Sequence, residues 1–202
     1  MVATPAIHAD LERWGFRNLV MWTRGVDTEL FRPGPPLATG WARPVFMYVG
    51  RVAVEKNIEA FLELDLPGTK VVVGDGPQRA SLQRRFPAAV FTGARIGEEL
   101  AAHFRSADVF VFPSRTDTFG LVLLEAMASG TPVAAFPVPG PIDVVVPGRS
   151  GVLSDDLRGA ALAALALPRD VVRRHALCFS WEHATAQFLS NLHPNSASAR
   201  LA

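Results

Sequence analysis

Apolar residues along the chain are grouped in short runs that alternate with segments of helical character. The runs predict five strands, at residues 45–49, 70–73, 89–92, 108–112 and 132–136. Between and after them, the spacing of apolar and polar residues predicts helices at 57–64, 78–85, 96–107, 120–128, 156–167, 170–177 and 181–192. Strands separated by helices imply a parallel sheet with right-handed crossovers. We therefore predict an α/β fold with a Rossmann-like, doubly wound parallel sheet.

One helix has a particularly clear apolar face. Ile96, Leu100, Phe104 and Ala107 follow one another at spacings of four, four and three residues, which places them on one side of a helix. We expect that side to pack on the sheet. At the other end of the chain, Ser180 is a suitable N-cap for the final helix.

The first 40 residues follow a different pattern. A short helix is predicted at about 7–14, and a proline-rich segment follows, with Pro33, Pro35, Pro36 and Pro44. This is typical of the end of one unit followed by a linker. The sequence is therefore divided into residues 1–40, a domain at 41–180, a closing helix at 181–192 and a flexible tail at 193–202.

Composition and charge narrow the function classes. With 202 residues and 49% hydrophobic residues, the chain is long enough for one well-buried core. The net charge of +1 provides no general field for nucleic acid, so no nucleic-acid partner is expected. Cys178 is the only cysteine, which excludes an internal disulfide and suits a reducing compartment. No apolar run approaches the length of a membrane span. We expect a cytoplasmic protein or one bound peripherally at the inner membrane surface.

Candidate chemistry is concentrated after the strands, where open α/β sheets bind ligands. Gly50 and Arg51 end the first predicted strand, and Lys56 follows five positions after the arginine. Two cations beside a strand end and a helix start suit a diphosphate. The same residues are also compatible with solvated surface charges.

The segment 113–125 is a second candidate site. The amides of Gly120, Leu121 and Val122 would be unpaired at a helix start, which favours an anion. Glu125 has apolar neighbours in sequence and needs donors, which sugar or ribose hydroxyls would supply. Asp117 precedes it by eight positions. Alternatively, Glu125 lies on the solvent side of its helix and Asp117 is a turn or N-cap residue.

Two further candidate segments are glycine-containing turns that follow predicted strands. Gly74-Asp75-Gly76 starts like a dinucleotide-binding fingerprint, but Arg79 stands where the third glycine is needed, so the turn is more typical of a pocket wall. The turn at 93–96 could stack on a nucleobase or simply connect a strand to a helix.

Four stretches of sequence together resemble a known family. They are VGRVAVEKN at 49–57, VVGDGP at 72–77, FTG at 91–93 and SADVFVFPSRTDTFGLVLLEAMASGTPVAA at 106–135. They are similar to the C-terminal, donor-binding domain of the GT-B retaining glycosyltransferases called glycosyltransferases group 1. The resemblance covers about residues 17–192.

The resemblance implies roles for individual residues. Arg51 and Lys56 would clamp the donor diphosphate, and Asp117 and Glu125 would be the family's paired carboxylates, binding sugar and ribose hydroxyls. Arg51, Lys56 and Asp117 are the predicted catalytic residues. The predicted donor-binding residues are Gly50, Gly74, Arg95, Ile96, Thr118, Phe119, Gly120, Leu121, Val122 and Glu125.

The resemblance also implies an activity. Members transfer a sugar, with retention of configuration, from a UDP-, GDP- or ADP-sugar to a lipid, saccharide or other acceptor. They need no metal and no cofactor. Residues 1–40 would be the remnant of an upstream acceptor domain plus a linker. A separate acceptor-domain subunit or a second copy of the chain is then the expected partner, and the closing helix would lack its usual packing surface.

Two departures from the family pattern stand out. Asp117 replaces the usual first glutamate, and residues 138–143 (VPGPID) replace the usual Gly-Gly followed by Glu. Two other functions remain open: a nucleotide-sugar-binding module or pseudoenzyme without transfer, and a sugar-nucleotide epimerase of similar architecture. The paired carboxylates favour the glycosyltransferase and the nucleotide-sugar-binding module over the epimerase.

Overall fold

The computed structural model describes residues 1–192, so the predicted tail lies outside the described residues. The strands are β1 Val45–Val49, β2 Thr69–Val73, β3 Val90–Gly93, β4 Val109–Phe112, β5 Val133–Ala135 and β6 Gly151–Leu153. The helices are α1 Pro5–Arg13, α2 Ile58–Leu62, α3 Arg79–Arg85, α4 Gly97–Ser106, α5 Leu121–Ala128, α6 Pro141–Val144, α7 Leu157–Ala164, α8 Arg169–Ala176 and α9 Trp181–Ser190. Within this part of the chain, no helix is long and apolar enough to cross a membrane.

All six strands form one parallel sheet in the order β3-β2-β1-β4-β5-β6. The order reverses direction beside β1, which pairs with β2 along its full length and with β4 on its other side. Such a reversal opens a crevice at the carboxyl ends of the strands. The predicted doubly wound α/β fold is confirmed.

The sheet is covered on both faces because successive strand residues point in opposite directions. On one face, Met47 and Phe110 pack with residues of α4, α5 and α8. On the other face, Phe46 and Val111 pack with residues of α2, α3 and α7. Every residue of β1 and β4 is buried, as expected for central strands of a parallel sheet.

Two short elements were not predicted from the sequence. β6 consists of a glycine and two apolar residues, which form no longer apolar run, and α6 has four residues, which is barely one helical turn. The predicted face of α4 is also wrong at its first position. Ile96 precedes the helix and is 84% exposed, whereas Phe104 and Ala107 are fully buried.

The segment before β1 packs against the domain and against the last helix. Val26 and Phe31 are buried in the main core. The ring of Trp22 lies 5.0 Å from that of Phe188 on α9, and the Thr23 amide donates to the Gln187 side chain at 2.6 Å. The expectation that α9 has no packing surface is therefore wrong for its inner face, although Trp181, Leu189 and Leu192 remain largely exposed.

Candidate functional site

A cavity of about 490 Å³ opens at the carboxyl ends of β1 and β2. Seven of the predicted site residues line it: Gly50, Arg51, Gly74, Arg95, Leu121, Val122 and Glu125. The wall also contains Val49, Val73, Asp75, Ala94 and Leu100. The structure thus brings together residues from the ends of β1 and β2, the loop after β3 and the helices α4 and α5, which are far apart in the chain.

The end of β1 is held in place by a buried phenol. Tyr48 donates a hydrogen bond from its hydroxyl to the carbonyl of Arg51 at 2.8 Å. Burial raises the pKa of the Tyr48 phenol above its ordinary range, so this donor stays protonated. The backbone that carries Arg51 is therefore fixed, while its side chain reaches solvent beside the cavity and lies 3.7 Å from Glu55.

Gly74 is required where the loops after β1 and β2 meet. A Cβ atom at this position would lie 1.8 Å from the carbonyl oxygen of Gly50. The amide of Gly50 also donates to the carbonyl of Val73 at 3.0 Å. Because only a residue without a side chain permits this approach, the glycine shapes the cavity wall.

The N-terminus of α5 faces the same cavity. Gly120 precedes the helix with φ of 79°, a left-handed conformation that favours glycine. Among residues 1–192, no acceptor is present for the amides of Gly120, Leu121 and Val122. Unpaired amides at a helix start attract negative charge. The Phe119 amide, in contrast, donates to Asp117 at 3.3 Å, and the Phe119 side chain is buried in the core.

Glu125 lines the cavity one turn further along α5. Its burial raises the pKa of the carboxyl from 4.5 to about 6. The alternative of a glutamate on the solvent side of the helix is excluded. A half-buried carboxylate of this kind is suited to accept hydrogen bonds from a ligand.

Lys56 and Asp117 form an ion pair at the rim of the site. The Lys56 ammonium lies 3.0 Å from Asp117 Oδ2, and both side chains are mostly buried. Asn57, in a left-handed conformation, donates to the carbonyl of Pro113 at 3.0 Å and anchors the lysine loop to the end of β4. These residues do not line the cavity, but they connect the loop after β1 with the loop that enters α5.

The unusual segment 138–143 supports this loop. A Cβ atom at Gly140 would lie 3.4 Å from the Cβ of Asp117, so the two loops are in close contact. Asp143 accepts from the Gly140 amide at 3.2 Å and from the Ala6 amide at 3.1 Å. The aspartate at this position therefore joins the Asp117 loop, α6 and α1.

Of the two residues predicted to lie near the nucleobase, Arg95 and Ile96, only Arg95 lines the cavity. Arg95 lines the cavity and lies 2.9 Å from Glu99. Ile96 is directed to solvent and is absent from the cavity wall, as is Thr118. Asp75 belongs to the turn that was predicted to form a pocket wall, and it does line the cavity; its carboxylate accepts from Arg79 at 3.0 Å. Leu100, which was expected only to pack on the sheet, also reaches the cavity wall.

Comparison with known proteins places the chain in a family. The family model described as glycosyl transferases group 1 matches residues 43–170. A GDP-mannose-dependent alpha-mannosyltransferase of Mycobacterium tuberculosis is 43% identical over 147 residues, which are 69% of this chain and 39% of the relative. The enzyme of the same name from Corynebacterium glutamicum is 37% identical over 185 residues, which are 86% of this chain and 45% of the relative.

Solved structures agree on the fold. Sucrose-phosphate synthase from Thermosynechococcus elongatus superimposes with a TM-score of 0.79 and 28% identity, over 94% of this chain and 56% of that one. The present chain spans less than half the length of the two mannosyltransferases that it resembles. The predicted GT-B class is confirmed, and the chain belongs to the glycosyltransferases group 1 family.

Proposed function

We propose that this chain is the donor-binding half of a glycosyltransferase that transfers a hexose from a nucleoside-diphosphate sugar with retention of configuration. The observation that carries the proposal is the shared cavity of Arg51, the N-terminus of α5 and Glu125. It offers one cation, several unpaired amides and one hydroxyl-accepting carboxylate, which are the groups that a nucleotide sugar needs.

Each part of the donor has a corresponding part of the site. The diphosphate lies at the Gly120–Val122 amides, with Arg51 on one side and Lys56 on the other. The ribose hydroxyls bind Glu125, the sugar hydroxyls face Asp117 and Thr118, and the base lies near Arg95. Lys56 uses one of its three N–H donors on Asp117, so two remain for a phosphate oxygen.

The proposed reaction is a front-face displacement at the anomeric carbon. The bond from this carbon to the diphosphate oxygen breaks while the acceptor hydroxyl oxygen bonds to the same face. The hydroxyl proton passes to the departing diphosphate. Arg51 and Lys56 stabilise the charge that develops on the leaving group. No metal or other cofactor takes part in this scheme.

GDP-mannose is the proposed donor among the three nucleotide classes. The proposal rests on the two mannosyltransferase relatives, whose names specify that donor. The acceptor is a lipid or saccharide hydroxyl.

A second candidate function is that residues 1–192 bind a nucleotide sugar without transferring it. The groups that the described cavity brings together, a cation, helix amides and a carboxylate, are those that hold a donor. A separate acceptor-domain subunit or a second copy would then complete the enzyme. An isolated chain that hydrolyses or transfers GDP-mannose at enzymatic rates would contradict this candidate.

A thermal-shift screen against GDP, UDP, ADP and their sugars tests the donor class. A ligand at 100 times its dissociation constant stabilises the folded state by about 2.7 kcal/mol, which is readily measured. We expect GDP and GDP-mannose to give the largest shifts. If none of these nucleotides shifts the transition, the proposed donor site is wrong.

Calorimetry on variants tests the diphosphate site. We expect Lys56→Ala to weaken GDP binding by more than about tenfold, because a charge-assisted hydrogen bond contributes roughly 1.5–3 kcal/mol. Arg84→Ala removes an exposed arginine on α3, outside the cavity, and serves as the control. Equal affinities for Lys56→Ala and wild type would refute the assignment.

A further inference from the structure

A second cavity, of about 220 Å³, lies at the opposite edge of the sheet from the donor cavity. Three arginines, Arg43, Arg105 and Arg169, line it together with Ser129 and residues of the segment 33–36. Arg43 precedes β1 and Ser129 precedes β5, so the cavity is at the amino ends of the strands. We call it the arginine pocket.

The arginines are not fully neutralised by their neighbours. Arg169 donates to uncharged acceptors, the Ala107 carbonyl at 2.8 Å and the Thr131 hydroxyl at 3.1 Å. Arg43 pairs with Asp108, and Arg105 pairs with Glu98, whose side chain is 72% exposed. Three guanidinium groups thus face two carboxylates, one of them well solvated.

Donor capacity also remains on these side chains. Each guanidinium carries five N–H donors in a planar arrangement that matches the oxygens of a phosphate. Besides its ion pair, Arg105 donates from Nε to the carbonyl of Pro35 at 3.2 Å. Burial lowers the pKa of Arg169, while the charge of Asp108 opposes this shift and the charge of Arg43 adds a smaller lowering.

Ser129 provides an independent indication of a ligand. The residue is only 1% exposed, and its hydroxyl has no hydrogen-bond partner in the part of the chain that the structure describes. A buried hydroxyl without a partner costs about 1–3 kcal/mol. An anionic oxygen in the pocket would accept this hydrogen bond and those of the arginines together.

We propose that the arginine pocket binds a small phosphate-bearing anion, at a site separate from the donor cavity. Arg43 and residues 33–36 belong to the segment that precedes β1, whereas Arg105, Ser129 and Arg169 belong to the helical layer. A bound anion therefore ties that segment to the sheet domain. The site does not depend on the proposed transferase activity.

Nuclear magnetic resonance with inorganic phosphate as the probe tests the proposal on the whole chain. We expect saturable shifts of the Gly34, Ser129 and Gly130 amides at millimolar phosphate. The amides of Gly50, Leu121 and Val122 report separately on the donor cavity. If the amides at the arginine pocket show no saturable shift up to about 50 mM phosphate, the proposal is wrong.

A matched pair of variants identifies the charge responsible. Arg43 and Arg158 have similar side-chain exposures, 55% and 50%, and each faces one aspartate, Asp108 and Asp65. We expect Arg43→Gln to weaken phosphate binding at the pocket roughly tenfold and Arg158→Gln to leave it unchanged. Equal losses in both variants would show a general charge effect and contradict the site.

Vesicles distinguish the two sources of the phosphate group. Phosphatidylcholine vesicles that contain phosphatidic acid are sedimented with the wild type and with Arg43→Gln. Co-sedimentation that is lost in Arg43→Gln assigns the pocket to a lipid headgroup. Binding of inorganic phosphate without co-sedimentation assigns it to a free anion.

Discussion

Glu125 combines two properties that conflict in a folded protein. It is a carboxylate inside a largely apolar pocket wall, and its pKa is raised to about 6 by burial. The folded state therefore binds a proton more tightly than the unfolded state does. Stability contributed by this group is present below pH 4.5 and is lost as the pH rises to about 6.

We expect Glu125→Gln to be more stable than the wild type above pH 6. The shift from 4.5 to about 6 corresponds to roughly 2 kcal/mol at most, and the difference should vanish below pH 4.5. Urea unfolding at three pH values measures it. Glu29→Gln, at a glutamate whose side chain is 89% exposed, is the control. A wild type that gains stability relative to Glu125→Gln as the pH rises would contradict this account.

Gly74 allows a second prediction about a single residue. Gly74→Ala would force a methyl group against the Gly50 carbonyl, so the loops after β1 and β2 must separate. We expect a loss of about 1–3 kcal/mol in unfolding free energy, together with weaker nucleotide binding. Gly148→Ala is the control, because its φ is 75° but no atom lies within 4 Å of the added carbon. Similar nucleotide affinities in both variants would show that the contact does not shape the cavity.

Among the elements, α5 contributes most to the proposed donor site. Its first turn offers unpaired amides and its second turn carries Glu125, while Leu123, Leu124 and Met127 are buried beneath the cavity. The helix can therefore present polar groups at one end because its other faces are fixed in the core. Such a rigid support is what a binding site requires.

The last helix, α9, connects the two ends of the described chain. Phe188 packs on Trp22, and Asn191 donates to the Met21 carbonyl at 2.9 Å. We expect Phe188→Ala to lower the unfolding free energy by about 1–3 kcal/mol and to increase hydrogen exchange at the Thr23 amide. Leu189→Ala, at a neighbour that is 58% exposed, should change neither quantity. Unchanged exchange at Thr23 in Phe188→Ala would mean that α9 does not hold this segment.

At the scale of the whole molecule, apolar side chains remain on the surface near both ends of the described chain. Trp14 and Phe16 follow α1, and Trp181 and Leu192 lie in or just after α9; all four are at least half exposed. Exposed aromatic and aliphatic groups promote association in water. These groups also agree with the proposal that a partner subunit or second copy completes the enzyme.

We expect the isolated chain to self-associate. Light scattering after size exclusion should show a mass that increases with concentration, and the double variant Trp14→Ser, Phe16→Ser should shift it toward the monomer. Replacing Arg84 with Ser, on an exposed polar surface, provides the control. A wild type that stays strictly monomeric at high concentration would contradict the prediction.

Most of the fold and about half of the proposed site were predictable from the sequence. The five predicted strands, β1 to β5, were located to within one residue at every end, because buried parallel strands are continuous apolar runs. β6 was missed because Val152 and Leu153 stand between a glycine and a serine and form no longer apolar run, and α6 was missed because it contains barely one helical turn. Arg51, Gly74 and Glu125, which were predicted as site residues, line one cavity, since residues after parallel strands gather at one edge of the sheet.

Local pattern alone determined that strands and helices alternate, and therefore that the sheet is parallel and has one edge rich in candidate ligand groups. Tertiary structure decided which loops are neighbours. It placed Gly74 against Gly50, paired Lys56 with Asp117, turned Ile96 to solvent and assembled the arginine pocket from distant segments. The physical reason is the distance along the chain over which each signal acts. Periodicity depends on residues a few positions apart, whereas strand order and side-chain direction depend on packing between residues far apart in the chain.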